Sequence, residues 1–186
     1  MAERDLGDVA VRALRRPGIG SALPAALGVY LVLAAQSVLT TIVFIVTDPG
    51  YAQDALAYLR LILPATLPVA LGTPLPFAIG VLLAFWQIAP IAPQLRMAHV
   101  VTRALLAAVL GAVAAAVIGF GAGIVGGLLQ ALRLRDVLAA GLEALPAALN
   151  VLIQGLVVVP FAALLLWGWL QSHPPRRAPS GALDEV

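Results

Sequence analysis

The sequence predicts an all-α membrane protein: four transmembrane helices, a possible fifth short or re-entrant segment, and two amphipathic helices at the bilayer interface. Three observations lead there. Of 186 residues, 62% are hydrophobic and only 11% are charged, whereas soluble domains carry about 25% charged residues. The mean hydropathy is +1.02. The charges also leave four uncharged stretches, Pro17 to Thr47, Leu61 to Leu95, Ala104 to Leu132 and Ala144 to Pro175, each at least 29 residues long. About 20 apolar residues at 1.5 Å rise cross a hydrocarbon core of roughly 30 Å, so each stretch can span with room for flanking turns.

Residues 1–20 read as a cytoplasmic amphipathic segment, with Leu6, Val9, Ala10, Ala13 and Leu14 opposite Asp8, Arg12 and Arg15. The apolar run that follows is longer than a signal-peptide core, so an uncleaved first span is expected. That span is placed at Pro24–Val46, before a turn at Asp48, Pro49 and Gly50. Its Gln36, Ser37, Thr40 and Thr41 form two i, i+4 pairs on one side. Either that side faces protein, or the hydroxyls bond back to their own helix.

The second region holds Pro64, Pro68, Pro74, Pro76, Pro90 and Pro93. Proline removes a backbone donor and clashes with the preceding turn, so one straight helix over Leu61 to Pro76 is not expected. The span is placed at Thr73–Ala92. Before it, DALAYLRLILPATLPVALG reads as a short surface helix running into an irregular or re-entrant stretch at the outer face. A rival reading makes Leu61–Leu71 an extra span and moves the C-terminus outside.

The third span is placed at Thr102–Leu129 and the fourth at Pro146–Leu170, which ends on Trp167 and Trp169, residues suited to the interface. Between them, ALRLRDVLAAGLEALP sets Leu134, Val137, Leu138, Gly141, Leu142 and Leu145 against Arg133, Asp136, Ala140 and Glu143, the pattern of a helix in the headgroups. Residues 21–171 thus form one transmembrane domain. Residues 172–186, rich in proline, serine and charge, are expected to be a disordered cytoplasmic tail. With four spans and the N-terminus inside, eight arginines fall on the cytoplasmic side (Arg4, Arg12, Arg15, Arg16, Arg96, Arg103, Arg176, Arg177) and three outside (Arg60, Arg133, Arg135). This predicts a multi-pass protein of the cell membrane with both termini cytoplasmic.

Gly121 to Gly126 reads GAGIVG, which matches the dinucleotide-binding turn letter for letter, and Glu143 stands 22 residues after Gly121, where a ribose-binding acid would be. The context excludes a nucleotide. The preceding ALLAAVLGAVAAAVIGF is an alanine-rich run of helix length rather than a strand, and too little chain follows to complete a doubly wound sheet. The same residues make a small-residue ladder with a four-residue step, including Gly111, Ala115, Gly119, Gly123 and Gly127. Small side chains let helix backbones approach closely, a main source of association in lipid. Because a four-residue step overshoots the 3.6-residue turn, only two or three rungs can serve one crossing. Gly119, Gly123 and Gly127 are the expected contact, resembling a glycine zipper in outline; the alternative is that the alanines and glycines mirror codon bias.

The span interiors carry no ionisable residue of the kind that marks proton relays or ion sites. The two histidines, His99 and His173, are far apart, there is no cysteine, and all eleven basic residues are arginines scattered or flanking spans. A net charge of +2 does not call for a polyanionic partner. No enzyme activity, cofactor, metal or nucleic-acid partner is therefore expected. What remains in the membrane is neutral and polar: Gln36 with Thr40, Gln87 beside Trp86, and Asn150 with Gln154. These side chains can bond one another between helices or line a route for a polar solute.

Two functions follow as hypotheses. The first is a non-catalytic subunit, accessory or scaffold protein that associates through its third span, with itself or with a partner membrane protein. The second is a small permease, or a transporter's membrane subunit, for an uncharged or polar solute. In that case the proline-broken region would be a gate and the amides its contacts.

Overall fold

A computed structural model describes residues 19–47, 55–130 and 133–173. The expected N-terminal amphipathic helix and nearly all of the expected tail lie outside these residues. The described elements are α1 (Ile19–Thr47), α2 (Ala55–Gly72), α3 (Leu75–Leu83) running into a π-helical turn (Ala84–Ile88), α4 (Met97–Leu129), α5 (Leu134–Leu142) and α6 (Ala144–Ser172). Among the described residues every regular element is helical. Four helical paths are long and apolar enough to cross a bilayer, Gly20–Thr47, Thr66–Ile88, Met97–Leu129 and Leu134–Ser172, the make-up of a multi-pass membrane protein.

The first, third and fourth expected spans fall inside α1, α4 and α6, each of which extends further at one or both ends. The second region differs. Its helix runs from Ala55 through Pro64 and Pro68 to Gly72, breaks at Thr73 and Pro74, and resumes as α3. The reason is where each proline falls. At 64 and 68 each removes one helical hydrogen bond and the turns on either side hold. Pro74 instead sits at the N-cap of α3, with Pro76 in its first turn, where a missing N–H has no intrahelical acceptor to lose. A restart there costs little. At its far end the helix closes in a π turn, with the Ala89 N–H bonding the Ala84 carbonyl at 2.8 Å, because Pro90 has no donor to continue the ladder.

Close packing rests on small residues. Ala104, Ala107 and Ala108 of α4 are fully buried in one cluster with Phe77 and Val81 of α3, Phe85 of the π turn, Val29 of α1 and Val159 of α6. Outward positions are apolar too: Val157 is 73% exposed and Phe161 64%. Such a surface suits lipid, not water.

Glycines set the closest approaches. A Cβ on Gly80 would lie 2.7 Å from the Gly111 Cα, so α3 and α4 meet backbone to backbone. One turn earlier the Phe77 ring is wedged between glycines of two helices: a Cβ on Gly111 would come within 3.0 Å of the ring, and one on Gly155 of α6 within 2.3 Å. The ring thus ties α3, α4 and α6 at one point.

The helix expected between spans three and four forms as α5, and its partner is α4. It runs antiparallel along the last third of that helix, with Gly119 facing Ala144, Gly123 facing Ala140 and Gly141, and Gly127 facing Val137. Of the apolar face read from sequence, Val137 and Gly141 are buried there, while Leu134, Leu138 and Leu142 stay exposed.

Candidate functional site

Four of the five intramembrane polar residues come together. Gln36 and Thr40 of α1 and Asn150 and Gln154 of α6 line one groove of about 270 Å³, with Ser37, Thr41 and Leu33 on the α1 side, Ala147 and Val151 on the α6 side, and Thr73 and Pro74 between. The geometry follows from helical spacing. A four-residue interval places Gln36 above Thr40 and Asn150 above Gln154, so each helix contributes a vertical pair. The α2–α3 break supplies the third wall, since irregular backbone at membrane depth is tolerated where it lines a cavity.

Hydrogen bonding fixes what the groove offers. Thr40 donates its hydroxyl proton to the Gln36 carbonyl at 2.8 Å, Thr41 to the Ser37 carbonyl at 3.0 Å and Thr73 to the Val69 carbonyl at 2.7 Å. These oxygens therefore face the groove as acceptors. Both readings of the threonines hold together: they back-bond, and they line a protein groove. Gln154 donates from Nε2 to Asn150 Oδ1 at 3.0 Å. In either orientation of the amides, that pair keeps both a donor and an acceptor for a third group. None of the groove's lining residues is charged. Seven neutral polar side chains from α1, α6 and the α2–α3 break thus share one concave site, suited to hydroxyl or amide groups and offering an ion no counter-charge.

The break is also held from outside the groove. Tyr30 of α1 donates its phenol proton to the Leu71 carbonyl at 3.2 Å, satisfying one of the orphan acceptors at the C-terminus of α2. Beside Ser37 and Thr41 a recess of about 310 Å³ continues to Thr66 and Ala70 of α2.

Gln87 does not join the groove. It lies in the π turn, 13 residues past Pro74 and so about 20 Å along the helix axis. Of the small-residue ladder, Gly111 meets Phe77, Ala115 is half-buried, and Gly119, Gly123 and Gly127 are covered by the chain's own α5 and the start of α6. Three important positions had no conspicuous signal in sequence. Thr73 enters only because the helix breaks there, and Gly80 and Gly155 stand outside the ladder; a bulky Phe77 one turn before Gly80 is the one available hint.

At the opposite end the loop after the π turn is pinned by side chains. Trp167 donates its indole N–H to the Leu95 carbonyl at 3.1 Å, and the Arg103 guanidinium donates to the Pro90 carbonyl. The indole nitrogen of Trp86 is buried without a hydrogen-bond partner.

Comparison with known proteins finds no relative: no family model, no curated protein and no solved structure matches this chain.

Proposed function

We propose that this is a non-catalytic membrane protein that holds an uncharged polar solute in the groove of α1, α6 and the α2–α3 break, as a small permease or the membrane subunit of a transporter. One observation carries the reading: seven neutral polar side chains converge where a membrane-depth helix is interrupted. Polar groups in lipid need a partner, and a broken helix at the same place exposes backbone that needs one too. The test is solute flux into reconstituted vesicles, using glycerol as the probe. Asn150→Leu or Gln154→Leu should slow it without changing the protein's migration in mild detergent. Flux in the variants equal to that of the unmodified protein would reject the groove as the route.

A second reading, a subunit of a membrane complex, has its own support. Gln36, Thr40 and Asn150 are exposed along the flank of the bundle, where a second copy or a partner's helix would cover them. Its contact would be this groove, since the ladder rungs Gly119, Gly123 and Gly127 already face α5 and α6. Single cysteines introduced at Gln36 and Asn150 test it, because the chain has none of its own. Full reactivity of both with a lipid-soluble maleimide in native membranes would exclude a covering helix.

We place the protein in the cell membrane with both termini in the cytoplasm, on the count of eight arginines against three. Gly20 at the start of α1 and Trp169 near the end of α6 line one crevice, in keeping with both ends on one side. Labelling of cysteines placed at Ala2 and Ser180 by an impermeant reagent in intact cells would reverse the orientation.

A further inference from the structure

The polar groove does not stand alone. Thr73, Ala147 and Val151 also line a second cavity of about 610 Å³, bounded by the α2–α3 break, the middle of α4 and the α5–α6 joint. Apart from Thr73 and Glu143, this second cavity is walled by apolar and small residues, among them Val69, Pro76, Ala115 and Ile118. The two spaces meet between the break and α6. Thr73, Ala147 and Val151 each line both. A polar compartment and an apolar one thus share a boundary, and the larger is within the range that holds drug-sized organic ligands.

From this we infer that the ligand is an uncharged amphiphile, with hydroxyl or amide groups bonded by Gln36, Asn150 and Gln154 and an aliphatic chain lying in the Ile118 cavity. This rests on the solute-binding reading of the groove and names its substrate class. A wholly polar solute would leave the apolar space unused, and a wholly apolar one would leave unmatched Gln36 and the donors and acceptors that the Asn150–Gln154 bond does not use. A molecule with both parts satisfies each compartment. The headgroup is neutral because no arginine lines either cavity. The one charged lining residue, Glu143, is a carboxylate that repels phosphate and fatty-acid anions. Chain length adds little preference over the bilayer, since lipid tails are as apolar as the cavity wall. Selection therefore falls to the headgroup hydrogen bonds.

The test uses the full chain in phosphatidylcholine vesicles with a monoacylglycerol that carries a photoreactive diazirine in its acyl chain. Cross-links should concentrate on the peptides containing residues 115–122 and 140–151, and excess unlabelled monoacylglycerol should remove them, while excess oleate should not. Gln154→Leu should weaken labelling about three- to thirty-fold, the factor that one intramembrane hydrogen bond is worth. Ile118→Trp, at a half-exposed site that accepts a larger side chain, should weaken it by obstructing part of the cavity. Gln87→Leu, outside both cavities, should leave it unchanged. Labelling spread evenly over the outward-facing helices and indifferent to both cavity variants overturns the inference, as does equal displacement by oleate. Glycerol flux measured on the same vesicles separates the two claims. Flux that still depends on Gln154, with labelling that does not, leaves the groove reading standing and removes the amphiphile; indifference of both removes both.

Discussion

Replacing Gly123 with alanine tests whether the ladder closes on the chain itself. The added Cβ would lie 2.5 Å from the Ala140 carbonyl oxygen and 2.9 Å from the Gly141 Cα. Carbon–oxygen contacts of this kind settle at about 3.3–3.6 Å, so α5 must withdraw by about 1 Å. The obstacle is backbone and cannot rotate away. A helix that retreats there also leaves Gly127, whose Cβ position is 3.1 Å from the Val137 Cα. The expected penalty is about 1–3 kcal/mol, as for other overpacked contacts. Alanine also favours a helix interior by about 1 kcal/mol over glycine, which would blur the result of one variant. Gly121→Ala removes the ambiguity, since nothing lies within 4 Å of its would-be Cβ. It receives the same helical preference without the collision. Unfolding in mixed micelles, followed by tryptophan fluorescence, should place Gly121→Ala slightly above the unmodified protein and Gly123→Ala about 1–3 kcal/mol below Gly121→Ala. Equal stability of the two alanine variants would refute the packing of α5 on α4.

Phe77→Ala should cost about 3–5 kcal/mol in the same assay, because the ring is fully buried and fills the space between Gly111 and Gly155; a loss under about 1 kcal/mol would mean that the wedge does not hold three helices. Gly155→Ala, with its Cβ directed at the ring 2.3 Å away, should also destabilise, and Phe77→Leu combined with it should recover part of the loss. Trp167→Phe removes the donor to the Leu95 carbonyl and should cost about 0.5–1.5 kcal/mol, seen as faster amide exchange confined to residues 89–96. Asn150→Leu should reduce glycerol flux while changing unfolding by no more than about 2 kcal/mol; a collapse of folding would show that the amide pair is structural support.

The spans were legible because length and the absence of charge decide them, and no tertiary detail is needed to see that residues 104–132 suit lipid. The break was harder to place. Six prolines lie in 35 residues, and proline as a residue type is equally disruptive at each. What distinguishes Pro74 is that the chain restarts a helix there, so its missing donor falls among groups that have no partner anyway. That depends on where α3 docks, with Gly80 against Gly111, and not on local pattern. The ladder has a similar history. A four-residue step of glycines announces a close neighbour but carries no label for which helix it is, and here α5, only five residues beyond the end of α4, fills the place. In the groove, Gln36 with Thr40 and Asn150 with Gln154 were visible as i, i+4 pairs within a helix. Their meeting across the bundle, and the exclusion of Gln87, depend on tertiary register, which pair spacing does not contain.

The wedge of Phe77 has a mechanical consequence. With one aromatic ring locked into notches on two neighbouring helices, α3 cannot slide or roll without first withdrawing it, so α3, α4 and α6 must travel as a block. The chain's freedom to bend then lies at Thr73 and Pro74, where the Thr73 N–H still bonds the Val69 carbonyl but Pro74 has no donor to carry the ladder from α2 into that block. A motion that widens or narrows the polar groove at its Thr73 wall is a tilt of α2 about this joint, with α1, anchored in the common core through Val29 and Leu33, and the rest of the bundle as the anvil.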